Sequence, residues 1–279
     1  MPAIDRNSAC APAPAPAGAD IIQVKDASIG YGNKVVQKNL TFAIRRGEIF
    51  IVGGGSGSGK STLLDTFIGL NAALGGSIEV DGVQIVGADE ACMNKLRTRF
   101  GVSYQGGALW GGQTVLENVM LPLQTYTDLP RPLVHAAALG KLALVGLADS
   151  GDLLPSEISG GMRKRAAIAR ALALDPMLVF LDEPSAGLDP ITAGDLDELL
   201  RTLNASLGTT FVVVTHELPS IFNIGHRVLL LDRDAGTMVA IGTPQELKNS
   251  KEPFVQAFMN RETTAELAKA RESHPEPRR

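Results

Sequence analysis

The chain has 279 residues, enough for one large α/β domain, and its 44% apolar content supports a sizeable core. A net charge of −4 argues against a nucleic-acid binder that works through a basic face. No run of about 18 apolar residues occurs, so the sequence offers no bilayer-spanning helix. The two cysteines, Cys10 and Cys92, lack metal-ligand spacing and read as reduced thiols.

In chain order, residues 1–19 include an Ala/Pro alternation that reads as a disordered leader rather than a signal peptide. Residues 21–29 and 39–44 pattern as strands, and 48–54 as a short apolar strand ending in glycines. A helix is expected over 60–70, a hairpin over 76–86 turning at Asp81–Gly82, and a short strand over 101–104. From Thr114 to about Ala173 the pattern is helical, with no strong strand. Then come a buried strand (177–184), a helix (191–204) and two further strands (209–217 and 227–232). The segment from 243 to about 260 looks helical, lying on the surface or reaching a neighbouring subunit, and the last residues of the tail from Arg261 read as disordered. Apolar strands alternating with helices imply an α/β fold with a mostly parallel sheet; the block at about 114–173 is a helical subdomain inserted into it.

Residues 54–61 read Gly54-Gly55-Ser56-Gly57-Ser58-Gly59-Lys60-Ser61, which fits G-x-x-x-x-G-K-[ST] between an apolar strand and a helix. Glycines let the backbone curl until successive N–H groups face one point, and the following helix adds its positive end. Lys60 brings a charge to the β- and γ-phosphates, and the Ser61 hydroxyl is placed to ligate Mg²⁺. About 120 residues on, four apolar residues lead to Asp182-Glu183. In a phosphoryl-transfer site, Asp182 would hold the metal and Glu183 would polarise the attacking water. A third apolar strand ends in Thr215-His216, where the histidine can donate to the γ-phosphate or the water, or simply cap the strand. His135, His226 and His274 have no such setting and are expected to be structural or surface residues.

The stretch 156–176, "SEISGGMRKRAAIARALALDP", supplies a second anion-binding helix start at Ser159-Gly160-Gly161. With the phosphate loop, the Asp-Glu strand and the histidine, in that order, the chain resembles the ABC-type ATPases over about residues 20–250. The resemblance implies a P-loop ATPase core with a mostly parallel sheet, an antiparallel β subdomain and an inserted helical subdomain, followed by a C-terminal extension (251–279). It implies ATP bound between two copies: Gly54 to Thr62 of one copy hold the phosphates, and Ser159, Gly160 and Gly161 of the other close on the γ-phosphate. It implies that Tyr31 stacks on adenine, although a turn tyrosine is the other reading. Gln105 would contact Mg²⁺ and the attacking water, and Asp189 of "SAGLD" would meet the facing subunit. Met162 stands where the broad family has glutamine, leaving no amide there for the opposite nucleotide's ribose.

That methionine is usual in one branch, which "QGGALW" (105–110) with "TVLENVMLPL" (114–123) and "GTPQELKNSKEPFVQAFMN" (242–260) also resemble: the ATPase subunits of MCE-type phospholipid transporters, related to solvent-resistance systems. The branch implies a second copy of the chain, an integral-membrane permease dimer, a periplasmic MCE-domain lipid carrier and a STAS-domain cytoplasmic partner. It places the chain on the cytoplasmic face of a bacterial inner membrane. The alternative is the ATPase of an importer for a small solute such as an amino acid, which would share every ATP-site residue. A DNA-repair or translation machine would need long coiled coils or two cassettes, and a non-catalytic regulator would not need Lys60, Asp182, Glu183 and His216 together. Trp110, the chain's one tryptophan, lies between two glycine pairs in the loop after Gln105. It reads either as an anchor for the permease or as a residue folded back on the helical lobe.

Overall fold

The computed structural model describes residues 19–260. Its centre is a six-stranded sheet built from β3 (Ile49–Gly54), β6 (Phe100–Ser103), β7 (Leu178–Asp182), β8 (Thr210–Val214), β9 (Arg227–Asp232) and β10 (Thr237–Gly242). The order is β10-β9-β3-β8-β7-β6. Every pair is parallel except β9–β10. The apolar runs 49–52, 178–181, 211–214 and 228–231 are fully buried, as strands covered on both faces must be.

A second, antiparallel sheet has the order β2-β1-β4-β5, from β1 (Asp20–Tyr31), β2 (Lys34–Arg45), β4 (Gly75–Val80) and β5 (Val83–Gln84). The β4–β5 hairpin turns where expected, with both Asp81 (φ 49°) and Gly82 (φ 77°) left-handed, as a type I′ turn demands. β2 starts five residues earlier than its alternation suggested, because register shifts against β1 and a left-handed Asn39 (φ 54°) interrupt the period of two. A chain of phenylalanines joins the two sheets through helix α1 (Lys60–Phe67): Phe42 stacks on Phe50, Phe67 stacks on Phe180, and Phe100 meets Phe180 edge-on.

The helical block holds α3 (Val115–Tyr126), α4 (Arg131–Leu144) and α5 (Gly160–Ala171). Thr114 and Glu117 form a reciprocal capping box that starts α3. Val115, Val119, Val134, Ala138, Leu142, Ala166 and Ala169 form its dry interior. α5 also lies on β6, where Gly101 backs directly onto the Ala171 carbonyl and leaves no room for a Cβ. The sequence pattern did not anticipate α2 (Glu90–Arg97), α7 (Leu218–Ile224) or β10. The helical tail expected over 243–260 forms two helices, α8 (Pro244–Lys248) and α9 (Pro253–Asn260), broken over Asn249 to Glu252. Among the described residues no helix is long and apolar enough to cross a membrane. The expectation of reduced thiols involves Cys10 and lies outside the described residues. Cys10, His274, the Ala/Pro leader up to residue 18 and the tail from 261 lie outside the described residues.

Candidate functional site

The apolar strand β3 delivers the glycine loop to the carboxyl edge of the parallel sheet, where ligand sites of such sheets form. Gly54 (φ 143°), Gly57 (φ 74°) and Gly59 (φ 88°) take backbone angles that side chains resist, and Gly59 is the N-cap of α1. Lys60 curls back over this loop, its Nζ donating to the carbonyls of Gly54 and Gly55, both at 2.9 Å. Burial pushes the Lys60 pKa down, opposed by the nearby Glu183 and Asp182 carboxylates. Ser58 lies beneath the loop, and its carbonyl accepts from Gln37 Nε2 at 2.9 Å. The same Gln37 amide reaches the Asp232 carbonyl at 2.8 Å.

Opposite the loop, β7 presents Asp182 and then Glu183. Ser61 Oγ donates to Asp182 Oδ2 at 3.4 Å, while Asp182 Oδ1 is buried with no hydrogen-bond partner among the described residues. Burial raises the Asp182 pKa, as does the neighbouring Glu183 charge, against the Ser61 hydrogen bond. Glu183 leaves the strand in a left-handed turn (φ 46°) and is 9% exposed. Its Oε1 meets His216 Nδ1 at 2.7 Å, and its Oε2 accepts from Thr215 Oγ1 at 3.2 Å. β8 carries both partners to this point by ending at Val214. His226 has a different role: its Nδ1 accepts the Ile49 N–H at 2.9 Å, which fixes the start of β3.

One cleft of about 630 Å³ gathers Gly54, Gly55, Ser56, Gly57, Lys60, Ser61, Gln105, Asp182, Glu183 and His216. Phe254, Ala257 and Phe258 of α9 form its apolar flank, and a Cβ added at Gly53 would sit 3.5 Å from the Phe258 ring. A smaller adjoining hollow of about 310 Å³ runs from the loop to Tyr31, Lys34 and Val36. Tyr31 is 51% exposed, its hydroxyl accepting from Thr62 Oγ1 at 3.0 Å, so its ring is fixed while a face stays open.

Ser159, Gly160, Gly161 and Asp189 do not line either space. Ser159 caps α5, its Oγ accepting the Met162 N–H at 3.2 Å. Gly161 presses on the start of α6 (Pro190–Leu207), where an added Cβ would sit 2.6 Å from Thr192 Cγ2. Asp189 caps α6, accepting from the backbone of Ile191 and Thr192 at 3.1 Å each and from Thr192 Oγ1 at 2.6 Å. Those bonds hold its carboxyl below the usual range.

Gln105 follows β6, and its loop is clamped to α5 by two cations. Lys164 Nζ donates to the Gln105 carbonyl. Arg170 donates to the carbonyls of Gly107 and Ala108 at 2.8 and 2.7 Å. Farther along, the indole of Trp110 is 61% exposed and does not fold back on the lobe. Its backbone is held instead by Asn118 of α3, which accepts the Trp110 N–H at 2.7 Å and donates to the Trp110 carbonyl at 3.1 Å.

Gln37, Thr215, Lys164, Asn118 and the α9 phenylalanines shape this site without having been singled out from sequence. The left-handed Asn39 breaks the alternation of β2 between Gln37 and the following apolar residues, so no local pattern marks Gln37.

The ABC transporter family profile matches residues 37–186. The chain is 40% identical over 243 residues to the intermembrane phospholipid transport system ATP-binding protein MlaF of Escherichia coli (strain K12), spanning 87% of this chain and 89% of that protein. It is 37% identical to the probable ribonucleotide transport ATP-binding protein mkl of Mycobacterium leprae (strain TN), over 86% of this chain and 68% of that one. Among solved structures it resembles the dimeric post-hydrolysis ATP-binding cassette MJ0796 bound to ADP and Pi, with a TM-score of 0.71 at 31% identity, covering 80% of this chain and 98% of that one. It also resembles cbiO1 of Clostridium perfringens, with a TM-score of 0.76 at 28% identity, over 85% and 94% of the two chains. With the glycine loop, the acidic strand end and the histidine in one cleft, these matches identify the chain as a member of the ABC transporter family, an ATP-binding and ATP-hydrolysing subunit.

Proposed function

We propose that this ATPase powers the movement of phospholipids between inner and outer membrane as part of an MCE-type transporter. The observation that carries the reading is the near full-length match to a phospholipid transport subunit, spanning 89% of MlaF. The mkl relatives are named for ribonucleotides and are matched over a smaller share of their length. In this reading a pair of chains sits on the cytoplasmic face of the inner membrane, bound to a permease dimer, with a periplasmic MCE-domain carrier and a STAS-domain protein in the assembly.

Two copies are needed because each chain carries two phosphate-binding helix starts that do not share a cleft. One copy's loop, Gly54 to Thr62, cradles the phosphates, and Lys60 swings from its own loop carbonyls to the β- and γ-oxygens. Tyr31 stacks on adenine through its open face. The partner copy's Ser159, Gly160 and Gly161 close the far side, and its Asp189 lies at the seam. Glu183 takes up and polarises the attacking water, released from or assisted by His216, while Gln105 helps orient that water. Mg²⁺ fits the donors present: the hard oxygens of Ser61 and Gln105 with Asp182, whose buried Oδ1 lacks a partner. When bound, the ion would neutralise charge developing on the phosphate oxygens. Among the described residues no group of three or more His, Cys, Asp or Glu could hold an ion alone, so nucleotide oxygens complete this site.

The test is extraction of the complex in detergent and mass spectrometry of what accompanies the chain. An integral permease together with an MCE-domain protein is expected. A permease accompanied by a solute-binding protein and no MCE-domain protein would refute the lipid reading. On the same preparation, Glu183→Gln should bind ATP and lose turnover by about 10²-fold or more, as loss of a general base does.

A further inference from the structure

Helix α5 starts at the signature residues, and Lys164 lies one turn inside it. Its ammonium reaches across to two backbone carbonyls: that of Gln105 and that of Glu183, at 3.2 Å. These belong to the two residues proposed to handle the attacking water. The Glu183 carbonyl also accepts the Ala186 N–H at 3.2 Å. Glu183 is left-handed (φ 46°), a conformation that costs a non-glycine residue about 1 kcal/mol and persists only where neighbours impose it. Turning that peptide back toward extended geometry would break the Lys164 bond and carry the carboxylate away from His216 and Thr215.

Among the described residues Lys164 has no carboxylate within ion-pair distance. Its hydrogen bonds go to two neutral acceptors from separate loops, with the Glu183 and Asp182 carboxylates acting on its charge through space, which is the work of a fastener rather than a solvated surface lysine. Arg170, two turns farther along the helix, holds Gly107 and Ala108 but not Glu183. Lys164 is therefore the side chain that ties all three segments together.

We infer that Lys164 is a positioning residue for hydrolysis: it fastens the backbones of Gln105 and Glu183 to the signature helix, so that the helix closing on the partner's nucleotide also sets the geometry of its own copy's water site. This rests on the reading of the cleft as the hydrolysis site. Lys164→Met removes the donors and keeps the stem; Lys164→Arg keeps a cation that can reach both carbonyls. The assay is steady-state ATP turnover of the intact complex, with nucleotide affinity measured separately on a fluorescent ATP analogue. For Lys164→Met, kcat is expected to fall about tenfold or more, with KM and analogue affinity within about twofold of wild type. Lys164→Arg should recover most of the loss. Unchanged kcat in Lys164→Met, a fall in affinity matching the fall in turnover, or no recovery with arginine would each overturn the inference. Wild-type complex that fails to hydrolyse ATP would instead overturn the underlying reading.

Discussion

Asn118→Ala tests what holds the loop that carries the exposed tryptophan. Asn118 is fully buried. Its Oδ1 accepts the Trp110 N–H at 2.7 Å, and its amide donates to the carbonyls of Thr114 at 2.9 Å, Trp110 at 3.1 Å and Gln113 at 3.2 Å. Two amide hydrogens shared among three carbonyls, plus one accepted bond, amount to about three full hydrogen bonds. At about 1 kcal/mol each, alanine should cost roughly 3 kcal/mol. Because the chain contains a single tryptophan, its fluorescence reports this loop alone, while far-ultraviolet dichroism reports the whole domain. The variant should unfold at lower denaturant, and its tryptophan should show lower anisotropy at native concentrations. Asn118→Asp should be at least as damaging, since a carboxylate would face three carbonyl oxygens with no donor. A loss below about 0.5 kcal/mol with unchanged anisotropy would refute the assignment of Asn118 as the loop's anchor.

Trp110→Ala should leave nucleotide binding and unfolding midpoint unchanged while weakening capture of the permease, because the indole has few partners in the free chain; equal capture would return Trp110 to the status of an idle surface residue. Gly161→Ala should destabilise the signature start through its collision with Thr192 Cγ2, 2.6 Å from the new Cβ, and Thr192→Ser, which removes that methyl and keeps the hydroxyl for Asp189, should restore stability and turnover together. Asp197, buried on α6, has its pKa raised by burial despite hydrogen bonds from Ser220 and Asn223. A carboxyl with a raised folded pKa binds its proton more tightly when folded, so its penalty is absent below the unfolded value near pH 4 and grows as pH rises through the folded one. Asp197→Asn should therefore raise Tm at neutral pH and lose that advantage near pH 4 in calorimetric scans; a lower Tm at neutral pH would contradict it.

The parts of this molecule legible from sequence are those whose chemistry is written in adjacent residues. Gly54 to Ser61 announce a phosphate loop because the curl, the cation and the hydroxyl are contiguous. Asp182-Glu183 and Ser159-Gly160-Gly161 are equally local, as is the Asp81–Gly82 turn. The fasteners are different, because their partners are remote in the chain. Gln37 meets a carbonyl 195 positions away, and Lys164 one 59 positions away; no local pattern marks either. Short elements were missed for a related reason. α7 has seven residues, fewer than an apolar period needs to declare itself, and every residue of β10 is half-buried, so it shows no alternation. For α2 a signal existed in Asp89, whose side chain accepts the Cys92 N–H at 2.8 Å as an N-cap.

The buried amide of Gln37 has a mechanical consequence. It grows from the antiparallel sheet, yet it grips the phosphate loop through Ser58 and the central sheet's edge through Asp232. Three bodies that could have slid past one another are riveted at a single atom, Nε2. Separating any one of them from the other two breaks at least one of those bonds, at about 1 kcal/mol each. Residue 37 thereby couples the position of the glycine loop to the antiparallel sheet as well as to the strand that carries it.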